Sequence, residues 1–504
     1  MKKYSQGISR RSFIAGVAGS SLMMGMGSLV AGCSSEQATQ AMASGDLSRV
    51  FSPTIWFEIN GAGEVLINIV RAEMGQHVGT SLAQIIADEL GADWSKVSFT
   101  HVDTDPKWGV MVTGGSWSVH TSFTALSQAG AAGRTVLIDA AAKLLGVSPE
   151  SCSAEDGVVT SGEKSLTFAQ IISNGDLSRT ISEDELAAMP VKSPADRRII
   201  GRDLRNRDVA EKAEGSAGYG LDTALPGMAY AMPLLPPTRY GSTVLSIDES
   251  AAKTIDGYIG ALRINDPSET VQGCVVVAAE TMPAVLKAVK AVTVDWASGP
   301  TASVSEADLI AEGVRLAADP TVGTLYVNEG DIAAATTNAA DTLAATYTTS
   351  TALHFTMEPQ NALVEFDAQG RCHIHAGNQW QSLILPVLAQ ALEMPETDIV
   401  IHQYYLGGGY GRRLFGDQMI PAALAARALG RPVKLIFDRA TDSRFDCVRS
   451  PSVCTLAASF DGDGNLSGID HAAVAGWPTK SMAPGFLGTG IDGKGQFDGF
   501  SISG

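Results

Sequence analysis

The chain has 504 residues, too many for a single hydrophobic core, so two to four structural domains are expected. Apolar residues make up 45% and charged ones 18%, a globular composition whose 53 glycines suit tight turns and close backbone approach to a ligand. The net charge of −18 argues against a nucleic-acid partner, because no broad basic face can offset phosphate repulsion.

The first 33 residues read as an address label. Ser9-Arg10-Arg11-Ser12-Phe13-Ile14 sets two arginines before a weakly apolar run from Ile14 to Ala31, the twin-arginine pattern that exports folded proteins to the periplasm. The run is rich in Gly and Ser and short for a membrane span. Leu29-Val30-Ala31-Gly32-Cys33 resembles a lipobox, so lipidation at Cys33 and a membrane anchor are expected, with Ser34 to Ser48 as a polar tether.

Downstream, alternation predicts a strand over Thr54–Ile59, a turn at Asn60–Gly63 and a return strand over Glu64–Val70. Apolar spacing predicts a helix from Thr80 to Leu90 stopped by Gly91, and a second, small-residue-rich helix from about Phe123 to Leu145. Residues 150–198 read as a peripheral loop-and-helix insertion. A second unit begins near Ile200, with turn-punctuated strands at Tyr219–Asp222 and Leu225–Ala231. It continues through a strand at Val275–Ala279, a helix at Thr281–Val289 and a strand at Val292–Trp296. Residues 298–330 form a polar connection with one helix. A third unit starts near Ala344 and alternates strands with helices at Leu383–Leu392 and Met419–Leu429.

The sharpest motif is Leu406-Gly407-Gly408-Gly409-Tyr410-Gly411-Arg412-Arg413, after an apolar strand at Ile399–Tyr405 and before a helix. Glycines there let backbone N–H groups approach a ligand, and adjacent arginines favour phosphate. The spacing matches neither a dinucleotide fingerprint nor a P-loop. The six cysteines include no C-x-x-C pair, so neither an iron–sulfur cluster nor a structural zinc held by this chain alone is expected. Cys447 and Cys454 could pair in an oxidising compartment, which spacing alone does not establish. His373 and His375 project to one face of a strand, a spacing compatible with a metal pair, but no third ligand lies near them in sequence.

Around the glycine loop stand His354 to Asn361, then Gly377-Asn378-Gln379-Trp380, and after it Gly430 to Leu435 and Asp438 to Asp442. Nearer the start are Arg71-Ala72-Glu73-Met74-Gly75-Gln76-His77 and Thr113-Gly114-Gly115-Ser116-Trp117-Ser118. This series resembles the molybdopterin-binding large subunit of the xanthine dehydrogenase family. The segment order is that of the isoquinoline 1-oxidoreductase beta subunit and membrane-bound aldehyde dehydrogenase type, and the likeness covers roughly residues 50–480. Two positions depart from the family pattern: Tyr410 stands where Phe is usual, and His77 where Gly is usual.

The resemblance implies a mixed α/β, multidomain molybdenum hydroxylase architecture. Its parts would be an N-terminal molybdopterin-binding segment over 49–198, a hammerhead-like α/β domain over 199–310, and a molybdopterin-binding domain over 330–504, incomplete at its C-terminus. It places Gly75, Gln76, Gly115, Ser116, Gln379, Gly408, Gly409 and Tyr410 at the cofactor, in its cytosine dinucleotide form, while the local chemistry adds Arg412 at phosphate. The implied reaction hydroxylates an aldehyde or N-heterocycle with oxygen from water. Electrons would leave through a small [2Fe–2S] subunit and a cytochrome c. Members of the family use a glutamate in a G-x-G-E type segment, and Gly488 to Gly495 offers no match. The chain is then a fragment, a part completed by another polypeptide, or a non-catalytic exported paralogue that binds a partner or ligand without turnover. Glu73 and Glu358 are the acidic residues nearest the matched motifs.

Overall fold

The computed structural model describes residues 49–476 apart from 324 and 326. The expected export signal, Cys33, the tether and the Gly488–Gly495 stretch lie outside the described residues. Two compact units emerge: Met1–Gly218 with Gln403–Tyr405, and Tyr219–His402 with Leu406–Gly504. No helix among the described residues is long and apolar enough to cross a membrane.

In the first unit, strands β1 (Val50–Thr54), β2 (Phe57–Asn60), β3 (Val65–Ile69) and β4 (Val97–His101) form a sheet in that order. Helix α1 (Val78–Leu90) links β3 to its parallel neighbour β4. The expected single strand over Thr54–Ile59 is broken at Ile55–Trp56, because Asn68 on β3 pins the carbonyls of both residues at 2.8 Å and folds them into a turn. The hairpin of β2 with β3 forms as expected. Leu82, Ile85, Ile86 and Leu90 face the core, and Gly91 (φ 73°) ends α1 in the left-handed region that glycine tolerates.

Helix α2 (Ser118–Leu145) starts five residues ahead of the expected Phe123 and lies along α1. Its small residues permit that approach: a Cβ on Gly130 would stand 2.7 Å from the Ile86 carbonyl oxygen. The segment read as a peripheral insertion instead forms a three-stranded meander, β5 (Ser153–Glu155), β6 (Val158–Ser161) and β7 (Lys164–Thr167). Helices α3 (Phe168–Asn174), α4 (Glu183–Ala187) and α5 (Val209–Glu214) follow. Val159, Leu166, Phe168 and Ile171 enter the unit's main core, which is why the insertion is not peripheral.

The second unit opens with a 3-10 turn at Gly220–Asp222 where a strand was expected. Next come β8 (Ala229–Leu234), β9 (Thr243–Asp248), β10 (Tyr258–Arg263), β11 (Val275–Ala279), α6 (Met282–Ala291) and β12 (Thr293–Ala297). Helices α7 (Glu306–Ala317) and α8 (Ile332–Thr337) lead to β13 (Asp341–Thr349), β14 (Asn361–Phe366), β15 (Cys372–Ala376), α9 (Gln381–Leu392) and β16 (Ile399–Gln403). The described chain closes with α10 (Met419–Leu429), β17 (Val433–Ile436), α11 (Arg439–Arg444), β18 (Ser452–Phe460) and β19 (Leu466–Ala475).

One seven-stranded sheet runs β10-β11-β8-β17-β14-β15-β16. In it β8 pairs in parallel with β17, Val433 opposite Ala229 and Leu435 opposite Ala231. Segments expected in separate domains over 199–310 and 330–504 therefore share one sheet and one core, from Ala231 and Val276 through Ile374 to Ile420 and Leu435. The chain separates at Gly218–Tyr219 instead of near 199.

Candidate functional site

In the first unit, Gly75 and Gln76 are exposed on the loop between β3 and α1. That loop is shaped by Glu73, whose buried carboxylate accepts from the N–H groups of Gly75 (2.8 Å), His77 (3.1 Å) and Val78 (2.9 Å) and so caps α1. Gln76 folds back on the same loop, taking Met74 N–H at 2.7 Å and donating to the Ala72 carbonyl at 2.9 Å. His77 adopts φ 58°, the left-handed conformation that a glycine would take without strain, and its Nδ1 lies 2.7 Å from Asp208.

Glu73, His77 and Asp208 turn ligand-type atoms to within 4.8 Å of one another. The Lys212 ammonium occupies that acidic cluster, 2.6 Å from Glu73 and 2.5 Å from Asp208, so a cation is already built into the chain there.

The second motif, forty residues on, lies directly against the first. Ala72 N–H donates to Thr113 Oγ1 (2.7 Å), and the Arg71 guanidinium reaches the Val112 carbonyl, Thr121 (3.0 Å) and Ser122 (3.3 Å). Gly115 (φ 58°) and Ser116 (φ 59°) are exposed just before α2. Two exposed loops thus stand together beside the start of a 28-residue helix, whose first N–H groups carry partial positive charge.

In the second unit, Glu358 organises the glycine loop. Its carboxylate accepts from Gly407 N–H (2.9 Å), Leu221 N–H (3.1 Å), Asn361 Nδ2 (2.8 Å) and Arg413 (3.0 Å). Gly407 has no alternative here, since a Cβ would fall 2.4 Å from that of Glu358. Gln379 is buried, its N–H donating to the Arg413 carbonyl (3.0 Å) and its Oε1 accepting from Gly411 N–H (3.2 Å). The structure therefore brings Gln379 to the loop. Gly408 (φ 92°) and Tyr410 (φ 54°) are left-handed; Gly409 is buried, and Tyr410 is 73% exposed beside an open depression of about 330 Å³.

The arginines do not meet the expectation of a phosphate contact. Arg412 is 1% exposed and pairs with Asp417 (2.8 Å) and Asp446 (3.3 Å), while Arg413 is fully buried against Glu358. Arg239 completes the cluster at 2.5 Å from Asp417, and His354 joins Asp446 at 2.9 Å. Burial opposes ionisation of Asp417, yet Arg412 and Arg239 outweigh it and hold the carboxyl down at about 2. Sequence reasoning missed Asp417, Asp446 and Arg239 because nothing local marks an arginine as buried. Cys447 and Cys454 are free thiols, with Cys447 3.8 Å from Arg412, so the disulfide that spacing allowed is not formed.

Two models of a molybdopterin cofactor-binding domain match residues 10–192 and 318–486. The chain is 48% identical over 456 residues to the membrane-bound aldehyde dehydrogenase [pyrroloquinoline-quinone] of Gluconacetobacter polyoxogenes, covering 90% of this chain and 59% of that one. It is 26% identical over 520 residues to isoquinoline 1-oxidoreductase subunit beta of Brevundimonas diminuta, covering 93% and 64%. The solved quinoline 2-oxidoreductase of Pseudomonas putida 86 aligns at a TM-score of 0.45 and 20% identity, over 55% of this chain and 39% of that one. The chain thus spans less than two thirds of the length of these curated relatives. With cofactor-binding domain models matching on both sides of its middle region, the chain carries molybdopterin-binding domains of the xanthine dehydrogenase family.

Proposed function

We propose that this chain is the cofactor-binding part of an exported oxidoreductase that hydroxylates an aldehyde or an N-heterocyclic carbon with water-derived oxygen. The pair of molybdopterin-domain matches carries this reading, and the 48% identical aldehyde dehydrogenase and the isoquinoline oxidoreductase supply the substrate classes. In the first unit the residues that would hold the cofactor are Gly75, Gln76, Gly115 and Ser116, all exposed. In the second they are Gln379, Gly408, Gly409 and Tyr410. The fit is good for close backbone approach, because a Cβ on Gly75 would meet nothing within 4 Å.

Molybdenum would supply the two-electron oxidation of the substrate. The phosphates of a cytosine dinucleotide form would meet N–H groups at the start of α2, since Arg412 is consumed by Asp417 and Asp446. Neither Glu73 nor Glu358 suits the role of proton acceptor, as both carboxylates are filled by backbone N–H groups and a cation. The isoquinoline relative is named as a beta subunit, which supports a partner chain; that partner would carry the [2Fe–2S] cluster and pass electrons on to a cytochrome c. The twin arginines and Cys33 support a periplasmic, lipid-anchored protein, in keeping with the membrane-bound relative.

That same relative carries pyrroloquinoline quinone in its name, and this observation favours a second reading in which the redox group is a quinone. Mass spectrometry of molybdenum and of the released cofactor separates the two, using protein co-expressed with its small subunit beside dye-linked aldehyde oxidation. Gln379→Ala should keep most of the molybdenum and lose roughly 100- to 1000-fold in rate, the usual effect of removing one preorganised hydrogen bond. Gly408→Val should lose the metal, because φ 92° strains any branched residue. A quinone without molybdenum or pterin would replace the first reading. Molybdenum without turnover would favour the non-catalytic paralogue. Recovery of this protein in the soluble cytoplasm would sink the exported, anchored part.

A further inference from the structure

Glu358 holds one end of the glycine loop at Gly407, and His354 meets the other end at Gly411. The backbone N–H and the Nδ1 of His354 both reach the Asp446 carboxylate, at 2.6 and 2.9 Å. Burial works against ionisation of Asp446, but the hydrogen bonds from His354 and the charge of Arg412 overcome it and hold the carboxyl low. An ionised partner there keeps the proton of a neutral imidazole on Nδ1 and leaves the lone pair on Nε2.

That outer edge of the ring faces the loop. An ideal Cβ on Gly411 would fall 3.2 Å from His354 Nε2 and 3.6 Å from its Cδ2. Gly411 has φ 108°, a conformation open to glycine and strained for other residues, so it has no side chain of its own to fix it. Its N–H donates to Gln379 Oε1 at 3.2 Å. A Gln379 amide engaged through its oxygen has its orientation set, with Nε2 as the donor end.

The ring is anchored in turn. Asp446 lies 3.3 Å from Arg412 Nε, Arg412 lies 2.8 Å from Asp417, and Asp417 lies 2.5 Å from Arg239. Arg412 is fully buried, so this chain of charges ties His354 to the interior. The His354 side chain is 17% exposed and lines the open depression beside Tyr410. In sequence the connection is hidden, because His354 and Asp446 are 92 residues apart.

We propose that His354 is a positioning residue: anchored through Asp446, it braces Gly411 and so sets the orientation of the Gln379 amide. The part it plays in the reaction rests on the assignment of Gln379 to the cofactor, whereas the brace is a property of this chain alone. A histidine that served only as a partner for Asp446 would need no atom at Gly411. Asparagine separates the two roles, because its amide can donate to Asp446 as Nδ1 does yet ends short of Gly411.

Hydrogen–deuterium exchange over residues 407–413 is measured on the full chain. Melting, molybdenum content and dye-linked aldehyde oxidation are followed on protein co-expressed with its small subunit. His354→Asn should melt as wild type does and keep its molybdenum, yet exchange faster at the loop. It should lose about 100-fold in kcat with KM unchanged, the scale carried by a misplacement of about 1 Å. His354→Gln, whose amide reaches the Nε2 position, should recover much of the loop protection and of the rate. His471→Ala, on β19, should match wild type throughout. Loop exchange equal to wild type in folded His354→Asn would overturn the brace, and an unchanged kcat in the metal-loaded variant would overturn its part in the reaction. If His354→Asn fails to fold, nitrogen NMR of the wild-type histidines decides: a neutral His354 ring with its proton on Nε2 would overturn the proposal. Wild type without molybdenum would sink the proposed function and leave the exchange comparison standing.

Discussion

His77 shows how a residue can depart from its family's pattern and keep the backbone. A non-glycine side chain in the left-handed region costs roughly 1–2 kcal/mol, and here the imidazole is held at 2.7 Å by a buried Asp208 that Lys212 also grips. The two effects have opposite signs, so two substitutions separate them. His77→Ala keeps the strained backbone and loses the partner, and should lower stability by about 1–3 kcal/mol, the range for leaving a buried acceptor short of a donor. His77→Gly loses the same partner but relieves the strain, so its melting temperature should fall between those of His77→Ala and wild type. A glycine variant melting below the alanine variant would show that the turn is not strained. The departure at His77 was legible in the sequence, but its partner was not, since Asp208 lies 131 residues away.

At the scale of elements, periodicity served well where one face is buried and failed where a tertiary hydrogen bond redirects the chain. Helices α1, α9 and α10 fall close to their expected bounds because apolar spacing is a local signal, as is the glycine that ends α1 and α10. The break between β1 and β2 was invisible because it depends on Asn68 reaching across the sheet. The small residues of α2 were visible in sequence, but not what they pack against. That contact sets two principles in opposition at Gly130. Alanine is favoured over glycine in a helix by about 1 kcal/mol, yet its Cβ would stand 2.7 Å from the Ile86 carbonyl oxygen and from the Glu89 Cβ. Backbone cannot yield as a side-chain tip can, so packing should win. Gly130→Ala is expected to destabilise the protein by about 1–3 kcal/mol, as overpacking does, read as a lower urea midpoint. An unchanged or raised midpoint would mean that the two helices separate without cost.

Across the whole molecule, the glycine loops were legible because each is a short contiguous run, whereas the cluster around Arg412 is assembled from residues 239, 354, 412, 417, 442 and 446. Its residues look like solvated charges in sequence and act as a scaffold in the structure, and that difference sets the protein's response to acid. Asp417 ionises at about 2 in the fold against about 3.9 in an unfolded chain. A depressed carboxyl contributes stability that is complete above the unfolded value and is lost as pH falls through the folded one, here between about 4 and 2. Asp446 is lowered too, where His354 hydrogen bonds and Arg412 overcome burial, and Asp88 and Asp208 in the first unit behave alike. Asp442 works the other way, since burial raises it and protonation there favours the fold. These four buried, depressed groups outweigh Asp442 and predict a urea midpoint that holds from pH 7 to about 4 and then falls. Asp417→Asn should cost about 3–5 kcal/mol at pH 7, the usual result of leaving a buried arginine without its partner. Between pH 4 and 2 it should decline less than wild type, because one of the titrating groups has been removed. Parallel decline of the two proteins over that window would mean that Asp417 does not couple to folding, and the buried pair with Arg412 would then have to be reassigned.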